Sequence, residues 1–209
     1  MDKELLKNNN VTLLGMIVSN PEFSHEVFGE KFFRLNIKVE RTSGTADIIP
    51  LTVSERLIDV TENWIDVSVY VSGQFRSFNR HEGNKSRLAL FVFVREIEKM
   101  DATVYGNNIA LDGFICKEPT YRNTPRGREI ADLLIGVNRS YGKSDYIPCI
   151  VWGRNAGFAS DLPIGTHVKL DGRIQSRNYL KRYLNGIEEE RTAYEVSASR
   201  IEVVEDGEE

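Results

Sequence analysis

The 209-residue sequence holds only two cysteines, Cys116 and Cys149. Two thiols so far apart form neither a zinc set nor a disulfide framework, so a reducing cytoplasm is the expected compartment. No run approaches the roughly eighteen apolar residues of a membrane span, and no membrane partner is expected. The opening MDKELLKNNN is charged and lacks the apolar centre of a secretion signal. Its three histidines, His25, His81 and His167, stand isolated. With no metal-ligand spacing, Walker loop or dinucleotide glycine pattern, the expectation is a non-enzyme without metal or cofactor. A surplus of positive charge is missing too: 27 Lys+Arg stand against 31 Asp+Glu, a net charge of −4. That total speaks against a uniformly basic nucleic-acid binder, but the charge is unevenly placed. Four acids crowd the last five residues, Glu205-Asp206-Gly207-Glu208-Glu209, and residues 101–204 carry 14 basic and 13 acidic side chains. A basic stripe on one face is compatible with that balance.

What the sequence does contain is a repeat. Shifted by 98 positions, Asn10-Val53 lies on Asn108-Val151 without a gap, and 15 of the 44 pairs are identical. Roughly three identities would arise by chance at average composition. Gly15 meets Gly113, Pro21 meets Pro119, and Asp47, Ile49 and Pro50 meet Asp145, Ile147 and Pro148. After one extra residue the match resumes, with Gly73 on Gly172. A period this long exceeds any solenoid unit and fits two copies of one small domain, residues 1–100 and 101–209, divided near Lys99–Gly106.

Each copy reads as strands. Phe33, Leu35, Ile37 and Val39 alternate with polar residues, the period of a half-buried strand. Asp145–Trp152, Val67–Val71, Val168–Ile174, Leu88–Val94 and Tyr194–Ser199 are further strands, and Arg154–Asp161 has room for two helical turns. Five strands and one short helix per copy predict an all-β protein. The form expected is two tandem OB-type five-stranded Greek-key barrels, which bind oligonucleotides on a fixed face. A seven-stranded sandwich does not fit in 100 residues with loops this long.

The copies differ where function should sit. On Asp145–Trp152, parity places Tyr146 and Trp152 on one side, opposite Cys149, which reads as an inert buried thiol. Tyr141 precedes that strand. In the next hairpin Arg173, Gln175, Arg177 and Tyr179 share a parity. Rings interleaved with cations are what a single strand requires: bases stack for roughly 1–3 kcal/mol each whatever their identity, and cations follow the phosphates. Arg139, Arg154 and Lys181 are flanking cations. Lys181, Arg182 and Tyr183 either extend this face or form a solvated tip around an Asn185-Gly186 turn. Arg122, Arg126 and Arg128 form a basic loop. Taken singly, each ring is as compatible with a core as with a site. At the matching positions the first copy has Ser43, Ile48, Ser54 and Arg80, and only Arg76, Phe78 and Arg80 keep a basic-aromatic character, a secondary site. The second copy is expected to do most of the binding and the first to serve assembly.

The segments Asn108–Ile115, Asp145–Arg154 and Gly172–Tyr179 resemble the bacterial single-stranded DNA-binding protein (SSB) family. That family places aromatic residues at four positions, which fall on Tyr141, Tyr146, Trp152 and Tyr179. The resemblance implies single-stranded DNA as ligand and a role in DNA replication, repair and recombination. Members usually assemble four OB domains, so two per chain imply a homodimer. The family's flexible linker and apolar-ended acidic tip have no counterpart in Val203–Glu209, so recruitment of replication proteins through such a tip is not implied. Two other readings stand beside this one: an OB-fold protein-interaction scaffold, and a single-stranded RNA binder.

Overall fold

The computed structural model describes residues 7–82, 85–182, 186 and 188–205. Alternating burial builds the strands: β1 (Asn9–Ile17) buries Val11, Leu13 and Ile17 and turns Thr12, Leu14 and Met16 outward. The first half continues with β2 (Glu22–Val27), β3 (Glu30–Glu40), β4 (Ala46–Ser54), β5 (Ser68–Glu82) and β6 (Lys85–Lys99). The second half repeats it as β7 (Gly106–Ile115), β8 (Thr120–Asn123), β9 (Glu129–Asn138), β10 (Ser144–Trp152), β11 (His167–Arg182) and β12 (Glu188–Val203). In each half β1/β7 pairs with both β3/β9 and β5/β11, and β4/β10 runs parallel to β6/β12. That closes two five-stranded Greek-key barrels, as the repeat predicts.

Two details differ from the sequence reading. Each half has a sixth strand, β2 or β8, paired onto β3 or β9. Both are almost wholly exposed, so no alternation of polar and apolar residues marked them. Among the described residues only the second half has the helix, α1 (Arg154–Ser160), which buries Ala156 and Ala159. In the first half Asp59 and Asn63 accept the backbone N–H groups of Thr61 and Ile65, a local bonding that competes with a helix. Trp64 plugs the barrel there, with its indole N–H on the Asp59 carbonyl at 2.8 Å. Tyr183, Asn185 of the Asn185-Gly186 turn and the acidic tail from Asp206 fall outside the described residues.

The halves are joined by symmetric bonds. β1 pairs antiparallel with β7 about Val11↔Ile109, making one continuous sheet. The side chain of Asn9 bonds both backbone groups of Phe75 at 2.7 and 2.9 Å, and its repeat mate Asn107 does the same to Ile174. Each long hairpin also lies on the other barrel. Asp47 of β4 accepts the Ser176 backbone N–H at 2.7 Å, and Asp145 of β10 accepts that of Ser77 at 2.6 Å. Both aspartates are fully buried and each faces an arginine, Arg41 and Arg139 respectively.

Candidate nucleic-acid interface

β10 carries the first side chains of the site. Its inner face buries Ile147, Cys149 and Val151, which leaves Tyr146 at 46% exposure and Trp152 half-buried on the outer face. Burial pushes the Cys149 thiol far up, so it stays protonated. The Trp152 indole N–H donates to the Ser197 hydroxyl at 3.0 Å, which fixes the ring's orientation. The indole borders a groove of about 770 Å³ at the root of the β11–β12 hairpin. Arg173 and Arg177 enter it from β11, Arg128 from the β8–β9 loop, and Arg41 from the first half. A bulge between Asp171 and Gly172 precedes Arg173, so the parity of Arg173, Gln175 and Arg177 is unbroken. Gly172 permits this bend, because a Cβ there would collide with the Ser197 carbonyl oxygen. Gln175, between the two arginines, is buried and donates its amide to Glu195 at 2.7 Å.

The other sequence-predicted residues are placed variously. Tyr179, 36% exposed, has the Arg177 guanidinium 6.0 Å from its ring centre and borders a second cavity, shared with Arg80 of the first half. Tyr146 is held through its backbone N–H, which donates to the Ser77 hydroxyl at 2.8 Å. Arg139 lies 3.1 Å from the buried Asp145 carboxylate and is committed to that internal pair. Burial raises the Asp145 pKa, against the Ser77 N–H and the Arg139 charge. Arg154 opens α1, exposed and away from the groove lining. Lys181 sits opposite Glu189 on β12. The backbone of Tyr141 forms part of a 3-10 turn, Ser140–Gly142, and its side chain lies outside the description. Of the basic loop, Arg122 is paired to Asp132 at 2.5 Å and Arg128 lines the groove.

In the first half the rings are turned on one another. The Arg76 guanidinium sits 3.9 Å over Phe93 and donates to Gln74 at 2.8 Å. Burial, with Arg139 nearby, lowers its pKa to about 10, so it remains a cation at neutral pH. Phe93 meets Phe32 at 5.8 Å, and Phe32 stacks on His25 at 5.1 Å. Phe78, half exposed, is edge-on to Phe91. By the repeat, Ser54 stands where the second half has Trp152, and Phe93 where it has Ser197. The sequence reading missed this ladder, since its rings are not at the four matched positions. It also missed Arg41 in the groove, although the repeat signals it: Arg41 and Arg139 are matched, each beside a matched aspartate.

Residues 106–204 match the model of the single-strand binding protein family. The chain is 38% identical over 80 residues to "Single-stranded DNA-binding protein 2" of Listeria innocua, covering 35% of this chain and 50% of that protein. It is 36% identical over 80 residues to "Single-stranded DNA-binding protein A" of Bacillus subtilis, covering 46% of that protein. The chain thus spans about half the length of the curated relatives it matches. The wild-type single-stranded DNA binding protein from Thermus aquaticus superposes with a TM-score of 0.78, over 96% of this chain and 95% of that one, at 19% identity. That likeness shows the two-barrel fold across both halves.

Proposed function

Because the chain is a member of the single-strand binding protein family through residues 106–204, we propose that it binds single-stranded DNA with little sequence preference, as a binder rather than an enzyme. The observation that carries this reading is the groove in which Trp152 lies among Arg173, Arg177, Arg128 and Arg41. Trp152, pinned by Ser197, offers a π-face to any base. The guanidiniums of Arg173, Arg177 and Arg128 release counterions as they take up phosphates, whereas Arg41 is engaged by the buried Asp47. Tyr146, Tyr141 and Tyr179 extend the stacking surface. Arg154 and Lys181 serve the strand at the margin, whereas Arg139 acts on it indirectly, by holding Asp145 and the hairpin seated there. The first barrel serves mainly assembly, with Arg76, Phe78 and Arg80 as a secondary contact.

Two copies pair to give four barrels. The support is apolar surface at the two ends of the outer face of the β1–β7 sheet: half-buried Leu14, Met16 and Tyr70 at one end, and Phe114, 39% exposed and stacked on His167, at the other. Exposed apolar patches of this kind mark association surfaces. The role lies in DNA replication, repair and recombination, in the cytoplasm. Fluorescence anisotropy with labelled oligo-dT and oligo-rU across a salt series tests the reading. Binding of oligo-dT should weaken linearly in log–log form with salt, by about 0.7 per phosphate contacted. Tighter binding of oligo-rU would reassign the ligand to RNA, and no binding of either at low salt would remove the reading.

A further inference from the structure

The two ends of the sheet carry opposite charge. β2 and β8 are its edge strands, so the β2–β3 and β8–β9 hairpins stand at its two ends. By the repeat, residues 22–31 lie on residues 120–129. The first stretch holds three acids and one base, a net −2, and the second holds three bases and one acid, a net +2. An exposed ring is matched too, Phe23 with Tyr121. At the first tip Val27 pairs with Glu30, which leaves a two-residue turn, Phe28-Gly29, with φ of 50° and 79°. Such turns favour Asn-Gly, and a bulky side chain in the left-handed region is strained. Phe28 is also wholly exposed, so burial within the chain does not offset that strain. Its repeat mate is Arg126, exposed near the other tip. Among the described residues Glu22, Glu26 and Arg126 make no ion pair, whereas Glu30 is held by Ser54 and Arg56, and Arg122 by Asp132.

We infer that the β2–β3 hairpin docks on the β8–β9 hairpin of a second copy, so that chains bound to one strand associate head to tail. The occupant is a second copy because the complementary surface is the hairpin's own repeat mate. Phe28 meets Arg126 as a cation–π pair, Glu26 faces the same guanidinium, and Phe23 and Tyr121 flank them. A nucleic acid is a poorer occupant of the first hairpin, since its carboxylates repel phosphate. β2 is short and bulged between Phe23 and His25, which discourages strand pairing at that edge, so the contact is between side chains. Each copy offers one acidic and one basic hairpin, so the contact is heterologous and repeats from copy to copy. It leaves the central β1–β7 face free. A contact this small holds only neighbours that a shared strand brings to high local concentration. The inference rests on the single-strand reading above and deepens it, from one bound molecule to an array.

The test measures wild type, Glu26→Arg, Phe28→Asn, Arg126→Glu and the double reversal Glu26→Arg/Arg126→Glu. The probes are an oligo-dT of about eight nucleotides, within the roughly 4–16 that one OB fold covers, and poly-dT long enough for many copies. Trp152 emission reports binding to both, and the steepness of the poly-dT isotherm reports contact between neighbours. Wild type should bind poly-dT cooperatively. Glu26→Arg and Phe28→Asn should keep short-oligomer affinity within about twofold of wild type and lose about tenfold on poly-dT, with a shallow isotherm. Phe28→Asn should melt no lower than wild type, because Asn suits the left-handed turn. Arg126→Glu should flatten the isotherm as well, and the double reversal should recover part of the steepness. A double reversal no steeper than the single variants, or a single variant as steep as wild type, overturns the contact. So does a non-cooperative wild type that still binds the short oligomer, or a Phe28→Asn loss as large on the short oligomer as on poly-dT. Each of these leaves the single-strand reading standing. If wild type binds neither probe, both fall.

Discussion

At the residue scale the account turns on how each cation is already employed. Arg173 and Arg177 are exposed in the groove, while Arg139 lies against the buried Asp145 carboxylate. Two outcomes follow. Arg173→Ala and Arg177→Ala should each flatten the salt dependence of oligo-dT binding by about 0.7 and leave the melting temperature unchanged. Arg139→Ala should instead lower thermal stability, because it strands a buried carboxylate, at a cost of about 3 kcal/mol. Melting curves measured beside salt titrations separate the two classes, and a binding loss without a stability loss in Arg139→Ala would return that residue to the strand. Sequence cannot make this distinction. Parity along a strand says which side a residue takes, and so it found Trp152, Arg173 and Arg177. It does not say whether a guanidinium will meet an aspartate six residues on.

At the element scale the hairpins are the joints. Asp47 and Asp145 are repeat mates in the same role, yet their surroundings drive them apart. Burial works to raise Asp47, but bonds from Arg41 and Ser176 outweigh it and hold its pKa below the ordinary 3.8. Asp145 is raised above 3.8 by burial. A lowered carboxyl contributes stability that is present above its unfolded value and lost as pH falls through the folded one. A raised carboxyl contributes stability that is present below its unfolded value and lost as pH rises through the folded one. The stability deficit of Asp47→Asn should therefore shrink as pH falls below about 3.8, and that of Asp145→Asn should grow. Melting temperatures of both variants between about pH 3 and 7 check the opposite trends. The strands themselves were legible, because Leu35, Ile37 and Val39 alternate with exposed neighbours and so imprint the pleat on the sequence. β2 and β8 were not, because a strand held only by its backbone to a barrel edge leaves no apolar trace. The first-half helix failed for another reason, since Asp59 and Asn63 capture backbone groups that a helix needs.

At the scale of the whole molecule, the repeat gave two barrels correctly, but not how tightly they interlock. The β1–β7 pairing and the reciprocal bonds of Asn9, Asn107, Asp47 and Asp145 cross the boundary between them. The chain should accordingly unfold in one calorimetric transition. Two well-separated transitions would show that the barrels are independent. Pairing of two copies through the outer β1–β7 face predicts that Phe114→Glu halves the mass seen by light scattering; an unchanged mass would place the contact elsewhere.

The central claim is that the Trp152 ring is open to unpaired bases. Trp64 is 3% exposed and shielded within the first barrel, so a ligand-induced change in emission reports Trp152. Titration of the intact chain with oligo-dT, followed by tryptophan fluorescence, is the most direct measurement. The account predicts strong quenching in the wild type, and in Trp152→Phe the loss of that signal together with weaker binding. Quenching that persists in Trp152→Phe, or tight binding that leaves wild-type emission unchanged, would contradict it.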